Sequence, residues 1–161
     1  MRFRIAGRVD VPAVLALLAD DDIARERDSS RTGGAGPTGV VPEETDAAIW
    51  AAFEAIDADP RNELVVGEDD DGAVVATCQL TFTPGLSRGG AERMTIEAVR
   101  VRADQRGRGV GRQLMAYALE RARDCDCRIV QLTTDKRRTE ARRFYASLGF
   151  VNSHEGMKLQ L

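Results

Sequence analysis

The chain is poor in the groups on which most metal and covalent chemistry depends. It holds one His, His154, one Trp and three Cys, and aromatics are only 5% of its 161 residues. No apolar run approaches the roughly 20 residues of a membrane-spanning helix, so no membrane partner is expected. The opening Met1-Arg-Phe-Arg-Ile-Ala-Gly-Arg8 carries charge but no apolar core, which excludes a secretory signal there. Cys78, Cys125 and Cys127 form an odd set. Without a signal, that set points to a reducing compartment, the cytoplasm. Cys125-Asp126-Cys127 invites a metal reading, but a zinc site takes about four ligands and usually spaces its cysteines two residues apart. Ordinary cysteines and no metal are expected.

What is present suits one globular domain over residues 1–161. Hydrophobic residues are 43% and charged residues 30%, and a chain of this length buries enough surface to fold without staples. The net charge of −3 hides an asymmetry. Residues 1–71 hold 7 Lys/Arg against 17 Asp/Glu, and residues 72–161 hold 16 against 9. A basic half suits phosphate and an acidic half suits a cation. The arginines gather around one glycine loop with no basic helix outside it, so a nucleic-acid partner is not expected.

The pattern of elements is mixed. Ile5 to Val9 reads as a first strand. Asp10 can cap a helix with Pro12 in its first turn and Val14, Leu15, Leu17 and Leu18 as its apolar stripe. Residues 25–43 are polar and Gly-rich, a long loop of the kind that serves as a functional lid or stays disordered. Thr45 can cap a second helix bearing Ile49, Phe53 and Ile56, and Asp59-Pro60 stops it. Strands follow at Glu63 to Gly67 and Ala73 to Phe82, joined by the turn Asp69-Asp70-Asp71-Gly72. Glu92 to Val101 is a further strand. Strict alternation sets Thr95, Glu97, Val99 and Val101 on one face, and Met94, Ile96 and Ala98 on the other. Both faces are largely apolar, as in a strand covered on both sides. Residues 109–124 have helical spacing, 129–134 read as a strand, and 139–148 as a helix closed by Gly149. Phe150-Val151 and Met157 to Leu161 are final strand candidates. The sum is an α/β fold with one sheet.

The most informative segment is Arg106-Gly107-Arg108-Gly109-Val110-Gly111-Arg112, set between a strand and a helix. Glycines let backbone N–H groups approach a ligand, and a helix start offers unpaired donors with partial positive charge. Together they form a diphosphate cradle. No Lys-Ser or Lys-Thr follows, as a P-loop would need. The run is GxGxG late in the chain rather than the early GxGxxG of a dinucleotide fold. A [QR]xxGx[GA] loop is satisfied, and so is a plain tight strand–helix turn.

Two segments resemble the GNAT acetyltransferase superfamily. One is Ile96-Glu97-Ala98-Val99-Arg100-Val101 followed by the glycine loop. The other is Ala141-Arg142-Arg143-Phe144-Tyr145-Ala146-Ser147-Leu148-Gly149-Phe150. The resemblance covers roughly residues 63–161, and the two N-terminal helices more loosely. It implies a single mixed, mostly antiparallel central sheet flanked by helices on both faces. It implies residues 1–62 as mainly the acceptor side and 63–161 as the acetyl-CoA core. Acetyl-CoA is then the co-substrate. Its pantetheine arm would lie along Val99, Arg100 and Val101, and its diphosphate on the amides from Arg106 to Arg112. Arg138 stands where the family often has an Asn that contacts CoA, and could reach a phosphate instead. Many members form dimers, so the resemblance leaves a homodimer open.

Acetyl transfer to an amine requires a base for the amine, a donor for the oxyanion and an acid for the leaving thiolate. Direct attack within a ternary complex needs no protein nucleophile. The resemblance implies Tyr145 as the acid. Glu97 is the expected base: burial on an apolar strand would raise its pKa, and some family members place their base there. The N–H of Val99 is the expected oxyanion donor. His154, Trp50, Tyr117 and Cys78 read as packing or surface groups. The function expected is N-acetyl transfer to a small-molecule or peptide amine, with the acidic half hinting at a cationic acceptor such as a polyamine, an aminoglycoside or a lysine-like amine. The alternatives are a non-catalytic acyl-CoA-binding or regulatory module and, more remotely, a nucleotide-phosphate enzyme.

Overall fold

The computed structural model describes residues 1–20 and 46–159. A single five-stranded sheet runs in chain order, with β1 Arg2–Ile5, β2 Asn62–Glu68, β3 Val74–Thr83, β4 Arg93–Val101 and β5 Ile129–Leu132. The first three pairings are antiparallel and β4–β5 is parallel, so the sheet is mixed and mostly antiparallel. Helices α1 Val11–Ala19 and α2 Ala47–Ala58 lie over one face, and α3 Val110–Asp124 and α4 Thr139–Ser147 over the other. No helix among the described residues is long and apolar enough to cross a membrane.

The main core forms between the sheet and α3. Ala76, Cys78 and Leu80 of β3 and Met94 and Ile96 of β4 meet Leu114, Met115 and Ala118, all essentially without exposure. The 3.6-residue period of α3 brings its apolar positions onto one stripe. A bidentate ion pair fastens the same helix to β2, with Arg121 Nη2 2.6 Å from Glu63 Oε1 and Nε 3.1 Å from Oε2. The tight turn after β2 forms as its residues dictate. The Asp69 carboxylate accepts from the amides of Asp71 and Ala73, and Gly72 takes φ +80°. Helix α4 ends in a Schellman motif: the amides of Gly149 and Phe150 donate back to Ala146 O and Tyr145 O, at 3.0 and 3.1 Å, with Gly149 at φ +92°.

Five expectations change. The first strand sits at Arg2–Ile5 rather than Ile5–Val9. The chain breaks at Gly7, because Asp10 folds back to accept from the Gly7 amide at 2.7 Å and from Arg4 at 2.6 and 2.9 Å. Arg4 also binds Glu68, and its guanidinium holds the Asp10 carboxyl below the usual range. Asp10 therefore precedes α1 without capping it. In α2 the cap is Asp46, whose carboxylate accepts from the Ala48 amide at 3.0 Å; Thr45 and the 25–43 loop lie outside the described residues. The strand expected over 129–134 ends at Leu132. No strand forms among the described residues after α4. Val151, Met157 and Leu159 are 82%, 96% and 87% exposed there, having no sheet edge or core to meet. Gln160 and Leu161 are outside the described residues.

Leu114→Ala removes a side chain with no exposed surface. It is expected to lower the unfolding free energy by about 3 kcal/mol, read in urea denaturation as a lower midpoint at unchanged slope.

Candidate active site

The site begins where β4 leaves β5. The two strands pair from Arg93–Ile129 to Ile96–Leu132 and no further. On its other side β4 stays bonded to β3, but the register jumps from Gln79–Glu97 to Thr77–Arg100. Cys78 thus faces two residues, Ala98 and Val99, and Ala98 takes φ +52°. This is a β-bulge, and it breaks the expected alternation. Glu97 shares the face of its partner Gln79, and Ala98 lies with Gln79 and Thr77 on the α1–α2 side. Val99 and Val101 pack instead on the main core that holds Met94 and Ile96.

The bulge also sets the backbone. The Arg102 amide donates to Val75 O at 2.8 Å. By antiparallel alternation, Arg100 and Arg102 point their amides at β3, and Val99 and Val101 point theirs away, to the edge β5 has left. The outward carbonyls meet side chains: Arg100 Nη1 donates to Val99 O at 2.8 Å and Arg106 Nε to Val101 O at 3.0 Å.

The glycine loop follows. A short 3₁₀ turn, Ala103–Gln105, lifts the chain off β4. Gly107 and Gly109 take φ +74° and +84°, a region that side chains with a Cβ resist. Helix α3 starts at Val110, and its first internal bond runs from the Gln113 amide to Gly109 O at 3.1 Å. Among the described residues, no acceptor is bonded to the amides from Gly107 to Arg112. Gly111 serves differently: a Cβ there would lie 3.5 Å from Phe144 and 3.7 Å from Val101, so the small residue sits where α3, α4 and β4 converge.

The three loop arginines have separate partners. Arg112 Nη2 donates to Ser147 Oγ at 3.1 Å, which ties α3 to α4. Arg108 is exposed, with no side-chain partner among the described residues. Arg106 is engaged elsewhere than the cradle. Its amide donates to Ala103 O, and its guanidinium bridges Val101 O and the Asp20 carboxylate, the latter at 2.8 Å.

Tyr145 lies on α4 against the main core, with its ring centroid 5.3 Å from that of Phe144 and 6.0 Å from that of Phe150. Burial raises its phenol pKa above the ordinary 10.0, and the charges of Arg100 and Arg138 pull it partly back. Both arginines thus act on the phenol, one from the bulged strand and one from the start of α4. Glu97 is not buried, contrary to the expectation for an apolar strand covered on both faces. It is exposed, because its face of β4 lies open at this end, and it makes no ion pair among the described residues.

The remaining groups are placed as packing or surface residues. His154 is exposed and shares a hydrogen bond with Ser153 at 2.8 Å. Trp50 packs edge-on to Phe53, and the Arg8 guanidinium lies 4.1 Å from its ring centroid. Tyr117 stacks near Phe3 at 5.7 Å. Cys78 is fully buried, and burial pushes its thiol up to about 12. Among the described residues, no three His, Cys, Asp or Glu side chains are gathered to hold a metal. Sequence reasoning missed the bulge, since Ala98 carries no local signal for positive φ, and it missed the Arg106–Asp20 contact.

On this α/β scaffold the sheet parts at a bulge beside a glycine-rich helix start. The chain belongs to the acetyltransferase (GNAT) family, whose model matches residues 24–150. It is 39% identical to a transcriptional regulator from Bacillus halodurans, with 99% of each chain covered and a TM-score of 0.87. It is 28% identical to a putative acetyltransferase from Agrobacterium tumefaciens, with full coverage of both chains and a TM-score of 0.78. A shorter stretch of 59 residues is 37% identical to the aminoalkylphosphonate N-acetyltransferase of Salmonella typhimurium, spanning 37% of this chain and 38% of that protein.

The thiol environments predict a sorting of reactivity. In native protein at neutral pH, an aromatic disulfide reagent is expected to modify the half-buried Cys125 and Cys127 and to spare Cys78 until unfolding.

Proposed function

We propose that this protein transfers the acetyl group of acetyl-CoA to a primary amine by direct attack within a ternary complex. The observation that carries the reading is the run of amides from Gly107 to Arg112, unbonded among the described residues, at the start of α3 beside the edge of β4 that β5 has left. A diphosphate on those amides gains their hydrogen bonds and the helix dipole. Arg108 and Arg112 add charge, and Arg138 supplies more from the start of α4. The pantetheine arm then lies along Val99 to Val101 in place of a sixth strand.

In the reaction, the amine nitrogen attacks the thioester carbon. The Val99 N–H donates to the developing oxyanion. The carbon–sulfur bond breaks as Tyr145 gives its proton to the departing thiolate. Before attack the ammonium gives one proton through water to Glu97, whose exposed side chain suits a relay better than direct contact, and the second N–H proton, lost as the tetrahedral intermediate collapses, returns through solvent to the Tyr145 phenolate. The acceptor is a small-molecule or peptide amine, and the cytoplasm is the compartment that fits the free thiols.

A second reading, an acyl-CoA-binding regulatory module without turnover, draws on the similarity to the transcriptional regulator from Bacillus halodurans. Release of CoA thiol across a panel of amines separates the two. Calorimetry in which the protein ignores both CoA and acetyl-CoA would reject them together.

Because burial raises the Tyr145 phenol pKa, the alkaline fall in kcat is expected at higher pH than an ordinary tyrosine would set. Tyr145→Phe is expected to lower kcat by about 100-fold, to lose that limb, and to leave acetyl-CoA affinity within about threefold. Gly109→Ala forces a Cβ into φ +84° and is expected to weaken CoA binding about tenfold, the equivalent of ~1.4 kcal/mol. Gly111→Ala, which has room for its methyl, is expected to change it much less; calorimetry on both variants checks the contrast.

A further inference from the structure

A cavity of about 130 Å³ lies between α1, α2 and the sheet. Val14 and Leu18 of α1 form one wall, and Ile49, Ala52 and Phe53 of α2 form the other. Its floor includes Ala98, the residue of positive φ at the β4 bulge. The cavity therefore opens onto the strand position flanked by Glu97 and Val99. It lies on the opposite sheet face from the main core, so a molecule within it approaches the bulge from the side away from α3.

The chemistry of the lining is one-sided. No charged side chain is among the described residues that form it. Its two polar members, Thr77 and Gln79, are already engaged: the Thr77 hydroxyl donates to Val65 O at 2.8 Å and the Gln79 amide to Asn62 Oδ1 at 3.2 Å. A polyamine would bring further cations against this wall, and an amino sugar would bring hydroxyls, each losing hydration without a partner. A compact hydrocarbon loses nothing there and gains dispersion contacts. The volume is close to that of apolar cavities known to admit a benzene-sized group.

We propose that this cavity seats the hydrocarbon body of the acceptor, so that the substrate is a primary amine on a compact aliphatic or aryl group. Such a body on Ala98 leaves its amino end at the bulge, with the Glu97 carboxylate on one side and the Val99 amide on the other. The acidic surplus of residues 1–71 then acts on the surface and does not select a polycation. This inference rests on the proposed acetyl transfer for its chemistry, but the cavity can be tested without turnover.

The experiment uses the full chain and two readouts. With acetyl-CoA, CoA release is followed for 3-methylbutylamine and phenethylamine against spermidine and glucosamine. The apolar amines are expected to have at least tenfold higher kcat/KM. Without acetyl-CoA, ligand-observed NMR is expected to detect phenethylamine bound to wild type. Ala52→Phe fills the cavity from an exposed position on α2. It is expected to abolish that NMR signal and raise KM for phenethylamine at least tenfold, with melting temperature and acetyl-CoA KM unchanged. Equal or better turnover of spermidine or glucosamine, or phenethylamine binding that is absent in wild type or undiminished in Ala52→Phe, overturns the proposal. If no amine turns over while phenethylamine binding is present and lost in Ala52→Phe, acetyl transfer fails and the cavity assignment stands.

Discussion

One backbone irregularity organises the site: the extra residue in β4 at Ala98. A regular strand would carry its hydrogen bonds to both neighbours along its whole length. Here the register with β3 slips between Gln79 and Thr77, and the pairing with β5 stops at Ile96. The strand bends, and a row of backbone groups at Val99 and Val101 turns to an open edge. A residue with a Cβ at φ +52° survives only where the surrounding packing over-determines it. That packing is supplied by Cys78, Leu80, Met94 and Ile96 beneath α3, all with almost no exposure. The rigid side of the fold therefore holds the strained side in shape.

The same bulge distributes roles between the two faces. Before it, Met94 and Ile96 enter the main core; after it, Val99 and Val101 do so as well. Glu97 and Ala98 are left together on the α1–α2 face. A carboxylate thus comes to lie beside an apolar cavity floor without being buried in it. On the other face, burial resists ionisation of the Tyr145 phenol while the charges of Arg100 and Arg138 favour it. Glu97 and Tyr145 thus lie on opposite faces of the sheet.

Much of this was legible in the sequence, and the reasons are physical. The helix at Val110–Asp124 announces itself because five buried positions recur at helical spacing. Gly107 and Gly109 mark a loop because only glycine adopts their φ at little cost. The turn at Asp69–Gly72 was readable from side-chain capping chemistry alone. Other features depend on partners distant in sequence. The start of the first strand depends on Arg4 reaching Asp10 and Glu68. The exposure of Glu97 follows from the bulge, and alanine carries no mark of a bulge. The apolar cavity draws its walls from several separate elements, so no local window contains it. The tail after Phe150 has strand-like alternation, but alternation alone provides no edge to bond.

The order of strands in the sheet copies the order in the chain, yet the first pairing spans a long gap. Arg4 meets Glu68 across 64 positions, whereas β2 and β3 are joined by one tight turn. Phe3 lies so close over Gly67 that a Cβ there would come within 2.7 Å of its ring. On the ribosome, β1 therefore emerges with nothing to bond and must wait until β2 has been made. The β1–β2 pairing is a contact of long sequence separation, in contrast to the local turn that joins β2 to β3.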